Sequence, residues 1–330
     1  RFGYNTDSML TVVTHPNGNV TRYVYAADLD PNAPPRTRGN LREIHRLPGS
    51  HTPVGDQAEI IEKFEYDTDH GSCCGFNFVT KQTDARGHVT QHAYDDRGNR
   101  IHTQHRIPTI VVDFEYNAFS QMTDHTLPGN GSGHRRRDEY AYYDLGPQNG
   151  YLHQQVVDAG GLNQTTAYEY DAVGNVVRVT DPRGHDTQYI VNALNQVVRE
   201  VSREAAILDN QGNPTGSVRY QRDTFYDEDN NVVRVDVQSV DDRGAVQTNS
   251  HITTAYEYEI LNNVVRVSQE IDEGEHVVSE YEYDANRNRT LERFGEATKG
   301  NQPFNLVRTL HDELDLVFQE IHAEGSPDQS

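Results

Sequence analysis

Several short groupings in this sequence combine residue types able to do chemistry. Asp181-Pro182-Arg183-Gly184 sets a carboxylate ahead of a proline and a glycine. That spacing is also the chemistry of a turn, with Asp at the first position, Pro presetting φ at the second, and Gly accepting a left-handed close. Among sixteen histidines, His88 lies near His92 and His102 near His105, with His15, His45 and His51 more widely spaced. On a strand, residues four apart share a face but sit far apart for one ion, and no third ligand follows at zinc-site spacing. These histidines are expected on solvated or cavity-lining surface, with no metal. Asp227-Glu228-Asp229-Asn230-Asn231 and Asp67-Thr68-Asp69 alternate oxygen ligands but lack the glycine and distal glutamate of a calcium loop. They read as turns first, with weak calcium binding as the alternative. Cys73 and Cys74 are adjacent, so they make neither a disulfide framework nor a zinc site. They read as a loop pair, against the alternative of a strained vicinal disulfide. The basic run Arg135-Arg136-Arg137 follows the Gly/Ser-rich stretch 129–133. A proteolytic nick or an acidic docking partner is one reading, and pairing with neighbouring carboxylates is the favoured one. No Gly-x-Ser-x-Gly, phosphate loop or motif-set cysteine occurs, and carboxylates are too common for one pair to stand out. The expectation is no enzyme and no cofactor.

Bulk composition limits what could position such groups. The apolar fraction is 34% and the net charge is -22, values that lean toward disorder. Against that, 19 tyrosines and many Val-Val-x-Val runs recur in strand-like settings. A sheet with a thin core and much wet surface reconciles the two, and no tryptophan is present to anchor a larger core. Lysine occurs only at Lys63, Lys81 and Lys299, and so acidic a chain would repel phosphate, which argues against nucleic acid. No apolar run approaches the ~20 residues of a spanning helix, so no membrane insertion is expected in this segment. The chain opens on Arg1-Phe2-Gly3-Tyr4, already inside a repeat-like segment, and is expected to be a fragment or processed piece of a longer one.

The elements come from repetition. Tyr168 and Tyr170 share one strand face, Asp171 opens a turn, and Gly174-Asn175 tolerates positive φ. Val177 and Val179 resume the alternation, the turn at Pro182 and Gly184 follows, and Thr187 and Tyr189 return. Two alternating turn chemistries joined by short strands predict an antiparallel meander. Related modules place a tyrosine or a substitute at Tyr4, Tyr25, Tyr66, Tyr94, Tyr116, Tyr143, Tyr170, Val191, Tyr226, Tyr258, Tyr283 and His311. Tyr94 is followed by Gly98-Asn99, while after Tyr226 and Tyr258 asparagine replaces the glycine. Residues 310–321 are the one stretch with a plausible helical spacing, and they fit the repeat as strand.

The Tyr-Asp-x-x-Gly-Asn and Thr-Asp-Pro-x-Gly-x-x-Thr-x-Tyr segments resemble the YD repeats of Rhs proteins, insecticidal toxin-complex shells and teneurins. The resemblance is strong at 83–100, 165–191 and 281–290 and runs across 1–330 as a single region. It implies an all-β fold of antiparallel hairpins in a long spiralling sheet, a hollow shell that in bacterial members surrounds a toxic C-terminal segment. Asp-Pro-x-Gly also resembles the family's aspartyl self-cleavage junction, but here it lies mid-chain among ordinary repeats, so Asp181 is assigned to a turn. The expected function is a structural, secreted or cell-surface shell segment that encloses or neighbours a polypeptide. The alternative is a filament or adhesive protein assembled through open sheet edges.

Overall fold

The computed structural model describes residues 1–49, 59–67, 77–131, 133–241, 244–272, 274–327 and 329–330, with backbone alone at 246–249. Cys73, Cys74, His51, Thr68 and Asp69 lie outside the described residues.

The chain forms two compact units. The first comprises 1–142 and 152–165, and the second comprises 143–151 and 166–330. Strands of the first are β1 (Phe2–Tyr4), β2 (Leu10–Thr14), β3 (Val20–Tyr25), β4 (Leu41–Leu47), β5 (Ile60–Tyr66) and β6 (Val79–Thr83). They continue through β7 (Val89–Tyr94), β8 (Arg100–Gln104), β9 (Val111–Tyr116), β10 (Met122–Gly129), β11 (Arg135–Tyr142) and β12 (Leu152–Val157). Each pairs antiparallel with the next, an uninterrupted meander.

The second unit repeats the scheme. Its strands begin with β13 (Gln164–Tyr170), β14 (Val176–Thr180), β15 (Asp186–Val191) and β16 (Val197–Val201). A hairpin of β17 (Ala205–Leu208) and β18 (Pro214–Val218) pairs only with itself among the described residues. The meander resumes with β19 (Gln221–Tyr226) on β16 and runs through β20 (Val232–Val240), β21 (Val246–Tyr258), β22 (Val264–Asp272) and β23 (Glu275–Tyr283). It ends with β24 (Arg289–Phe294), β25 (Leu306–His311) and β26 (Val317–His322). Residues 310–321 therefore form two strands around a turn. Among the described residues helix is confined to Ala26–Leu29 and a single 3-10 turn at Gly295–Ala297.

Neither sheet face is a conventional core. β2, β6 and β14 are half-buried at every position, where a sheet packed on one side would alternate buried with exposed. Among the described residues only Ala33, Val235, Val278 and Leu291 are buried apolar side chains. The low apolar content follows, since side chains wet on at least one side need not be hydrophobic.

Candidate functional site

One geometry recurs at the turns. In Asp171–Asn175, Asp171 Oδ1 accepts the backbone N–H of Val173, Gly174 and Asn175 at 2.9–3.0 Å. The Asn175 side-chain amide donates to the other oxygen at 2.8 Å. The backbone closes with Asp171 N–H donating to Asn175 O at 2.9 Å. Asp95, Asp227 and Asp284 hold their turns in the same way, each with an asparagine amide four residues on. Asp181 does so too, accepting from Arg183 and His185 at 2.9 Å. The expected two alternating turn chemistries are thus one five-residue turn. The first side chain satisfies the amides two and four residues ahead, as Asn117 and Asn192 also do in their turns, and proline at Pro182 only stiffens a shape the other turns reach without it.

The fourth turn position is left-handed. Gly98 has φ +87°, Gly174 +100° and Gly184 +80°, while Asn195, Asn230 and Asn262 take the same region at 62° to 68°. Asn99 and Asn175 are not the left-handed residues. Their amides instead reach the next turn, Asn99 to Ser120 Oγ at 3.2 Å and Asn175 to Asn195 Oδ1 at 2.9 Å. Gln196 continues to Asn230 and Asn231 to Asn262. Glycine in the Gly-Asn pair serves backbone geometry, and asparagine serves contact between neighbouring turns.

A second ladder runs through the tyrosines. The register slips at the last residue of every first strand, where Tyr4 pairs with Leu10, Tyr94 with Arg100, Tyr170 with Val176, Val191 with Val197, Tyr226 with Val232, and Tyr258 with Val264. Tyr283 and His311 do the same opposite Arg289 and Val317. In the module expected at Tyr143 the slip falls one residue earlier, at Tyr142 opposite Leu152. A bulge of this kind leaves the ladder short of a hydrogen bond. The tyrosine hydroxyls supply donors there. Tyr25 donates to Leu10 O, Tyr94 to Val79 O, Tyr116 to Arg100 O and Tyr142 to Met122 O, at 2.8–3.1 Å. Tyr226 donates to Val197 O, Tyr258 to Val232 O and Tyr283 to Val264 O. Each acceptor is the partner of the preceding bulge residue, so every hydroxyl ties its hairpin to the one before. Burial pushes the phenols of Tyr25, Tyr94, Tyr116, Tyr258 and Tyr283 up, which keeps them protonated donors. Tyr168 and Tyr189 lie two residues before their bulges, opposite Val179 and Glu200. Tyr168 O accepts the Tyr143 hydroxyl at 2.9 Å.

The opposite face of the second unit carries ion pairs that sequence reasoning missed. Arg178 meets Glu169, Arg199 meets Asp223, Arg234 meets Asp236, and Arg266 meets Glu257. Recurring Val-Val-Arg was the available signal, in the same runs read only as Val-Val-x-Val.

No group of three or more metal-ligating side chains occurs among the described residues. His88 bonds Asp84 at 2.9 Å and His92 bonds Thr103, so the two are not brought together. His102 pairs with Asp113. The Asp227 oxygens that calcium would need already accept amide protons. Arg135, Arg136 and Arg137 begin a strand rather than a loop, and they pair with Asp113, Asp138 and Glu139. No helix among the described residues is long and apolar enough to cross a membrane.

Residues 154–186 match the RHS repeat family model. No curated protein sequence matches the chain. Among solved structures it is similar to TcdB2-TccC3 without its hypervariable C-terminal region, at 13% identity and TM-score 0.39, covering 97% of this chain and 20% of that one. It is also similar to the Tc holotoxin pore of Photorhabdus luminescens, at 14% identity and TM-score 0.37, with 97% and 20% covered. A porin-like protein from Bacteroides uniformis follows at 11% identity and TM-score 0.28, with 71% and 88% covered. The chain thus spans about a fifth of the length of the first two.

Proposed function

We propose that this chain is a wall segment of a secreted or cell-surface Rhs-type shell that encloses a polypeptide. The role is structural and non-enzymatic, and the mechanism is containment. The observation that carries the reading is the RHS repeat at 154–186, set among hairpins built to one plan. In that plan each tyrosine hydroxyl ties its hairpin to the one before. Such a lattice suits a barrier, because each hairpin is held by its turn, its ladder and a side-chain bond to its neighbour. Both sheet faces are partly wet, as a wall with solvent on either side requires. The test is to express the full parent reading frame, confirm its intact mass, and expose it to protease before and after denaturation. A downstream polypeptide resistant only while the repeat region is folded supports containment. Equal cleavage in both states, or no downstream polypeptide, overturns it.

One observation favours a second reading, assembly through sheet edges. Among the described residues the mid-chain hairpin of β17 and β18 pairs only with itself, and its Leu208 is exposed. Open edges of this kind accept strands from neighbouring copies. Sedimentation separates the two readings: discrete monomers remove the filament, and long regular assemblies remove simple containment.

A further inference from the structure

His45, on β4, lies between two carboxylates. Its Nδ1 is 2.7 Å from Glu59 Oε1 and its Nε2 is 2.8 Å from Glu43 Oε2. An ionised carboxylate only accepts hydrogen bonds, so a ring meeting one at each nitrogen must donate from both. Imidazolium does this; neutral imidazole has a single N–H and turns a lone pair on one of the two. Across from His45 stand Arg22 on β3 and the apolar Ile61 on β5, and Lys63 stands opposite Glu43. Lys63 Nζ lies 3.1 Å from Glu43 Oε1, giving Glu43 a second cation. Among the described residues His45 is the one cation at ion-pair distance from Glu59.

We infer that His45 is a proton-operated clamp on the seam between β4 and β5, its imidazolium tying Glu59 at the entry to β5 onto β4. Loss of the proton leaves one N–H, which stays with Glu43 because Lys63 holds that carboxylate in place. Glu59 then faces a lone pair and is released. Direction follows from the ring's surroundings. Burial opposes its charge, hydrogen bonding to Glu59 and Glu43 favours it, and the net displacement is upward from the ordinary histidine value. A histidine raised in the folded state stabilises fully below its unfolded pKa and loses that contribution as pH rises through the folded one. The seam is therefore closed while His45 is protonated and its carboxylates are ionised, and it loosens as pH rises through the raised His45 value. Asp113, Asp186 and Asp223, whose arginine partners hold or help hold them below the usual carboxylate range, run the other way.

The test is an NMR titration of the whole chain, with the His45 ring signal assigned by its loss in His45→Gln. Amide exchange at Ile60 and Ile61 gives the second readout. The expected result is a His45 midpoint above about 6.5, shifted down in Glu59→Gln. Ile60 and Ile61 protection should fall through that midpoint in the native chain, with no step in His45→Gln. A midpoint at or below the free-histidine value overturns the clamp, as does a protection step that survives in His45→Gln. Should His45→Gln fail to fold, Glu59→Gln decides alone, and an unmoved midpoint there overturns it.

Discussion

A turn aspartate that already receives three backbone amides and a side-chain amide, as Asp171 does, has little left to offer a metal or a nucleophilic step. Those bonds favour the ionised form. The Asn175 side chain foremost holds Asp171 below the usual carboxylate range, the His185 backbone amide does so for Asp181, and the Asn231 side chain for Asp227. Asp186 is brought down to about 2, chiefly by the Arg219 guanidinium. A carboxylate whose folded pKa lies below its unfolded value contributes stability above the unfolded value and loses it as pH falls through the folded one. Urea denaturation at a series of pH values should show little change from these groups above about pH 5 and a decline between roughly pH 4 and 2. Asp186→Asn should remove part of that slope. The glycines separate two effects that sequence presents as one. A Cβ on Gly174 would lie 2.5 Å from the Tyr151 hydroxyl, and one on Gly184 would meet nothing within 4 Å. Asparagine at position 184 should cost only a few tenths of a kcal/mol, whereas at position 174 overpacking should add about 1–3 kcal/mol. Thermal melts of the two variants distinguish them.

The unit that sequence made legible is the hairpin. Strand, turn and strand could be read from alternation and from Asp and Gly, because both signals act within a few residues. Local patterns could not reveal that the tyrosine closing each first strand sits on a bulge and bonds the preceding hairpin, since that contact spans 15 to 29 residues between Tyr25 and Leu10 or Tyr226 and Val197. The ladder has vacancies that make it testable. Val191 and His311 occupy the tyrosine position without a hydroxyl, and His311 Nδ1 is buried with no partner among the described residues. His311→Tyr and Val191→Tyr place a hydroxyl where the ladder geometry offers Arg289 O and Val176 O. Each should raise stability by about 0.5–1.5 kcal/mol, the net worth of one hydrogen bond. Tyr94→Phe should cost about 1–3 kcal/mol, since it strands the carbonyl of Val79. Chemical denaturation of the three variants measures all of these.

On the scale of the whole chain, charge competes with a thin core. With a net charge of -22 and few buried apolar side chains, long-range repulsion is opposed mainly by hydrogen-bonded ladders and by half-exposed ion pairs. Such exposed pairs contribute only about 0–1 kcal/mol each. Raising salt from about 0.01 M to 0.15 M shortens the screening length from roughly 30 to 8 Å, which weakens distant repulsion more than contacts at 3 Å. The thermal midpoint should therefore rise over that range. A steady fall would mean that the ion pairs, not the repulsion, dominate.

By itself the sequence determined the fold class and the hairpin repeat, because alternation and turn residues are local properties of a chain. Tertiary structure alone decided that Asp-Pro-Arg-Gly and Asp-Ala-Val-Gly-Asn make the same turn, since their backbone bonds coincide despite different residues. It also decided that Arg135 reaches Asp113 on β9, and that His45 reaches Glu59 at the entry to β5. Strand register brings those partners together, and register is set by pairing across the sheet rather than by neighbours along the chain.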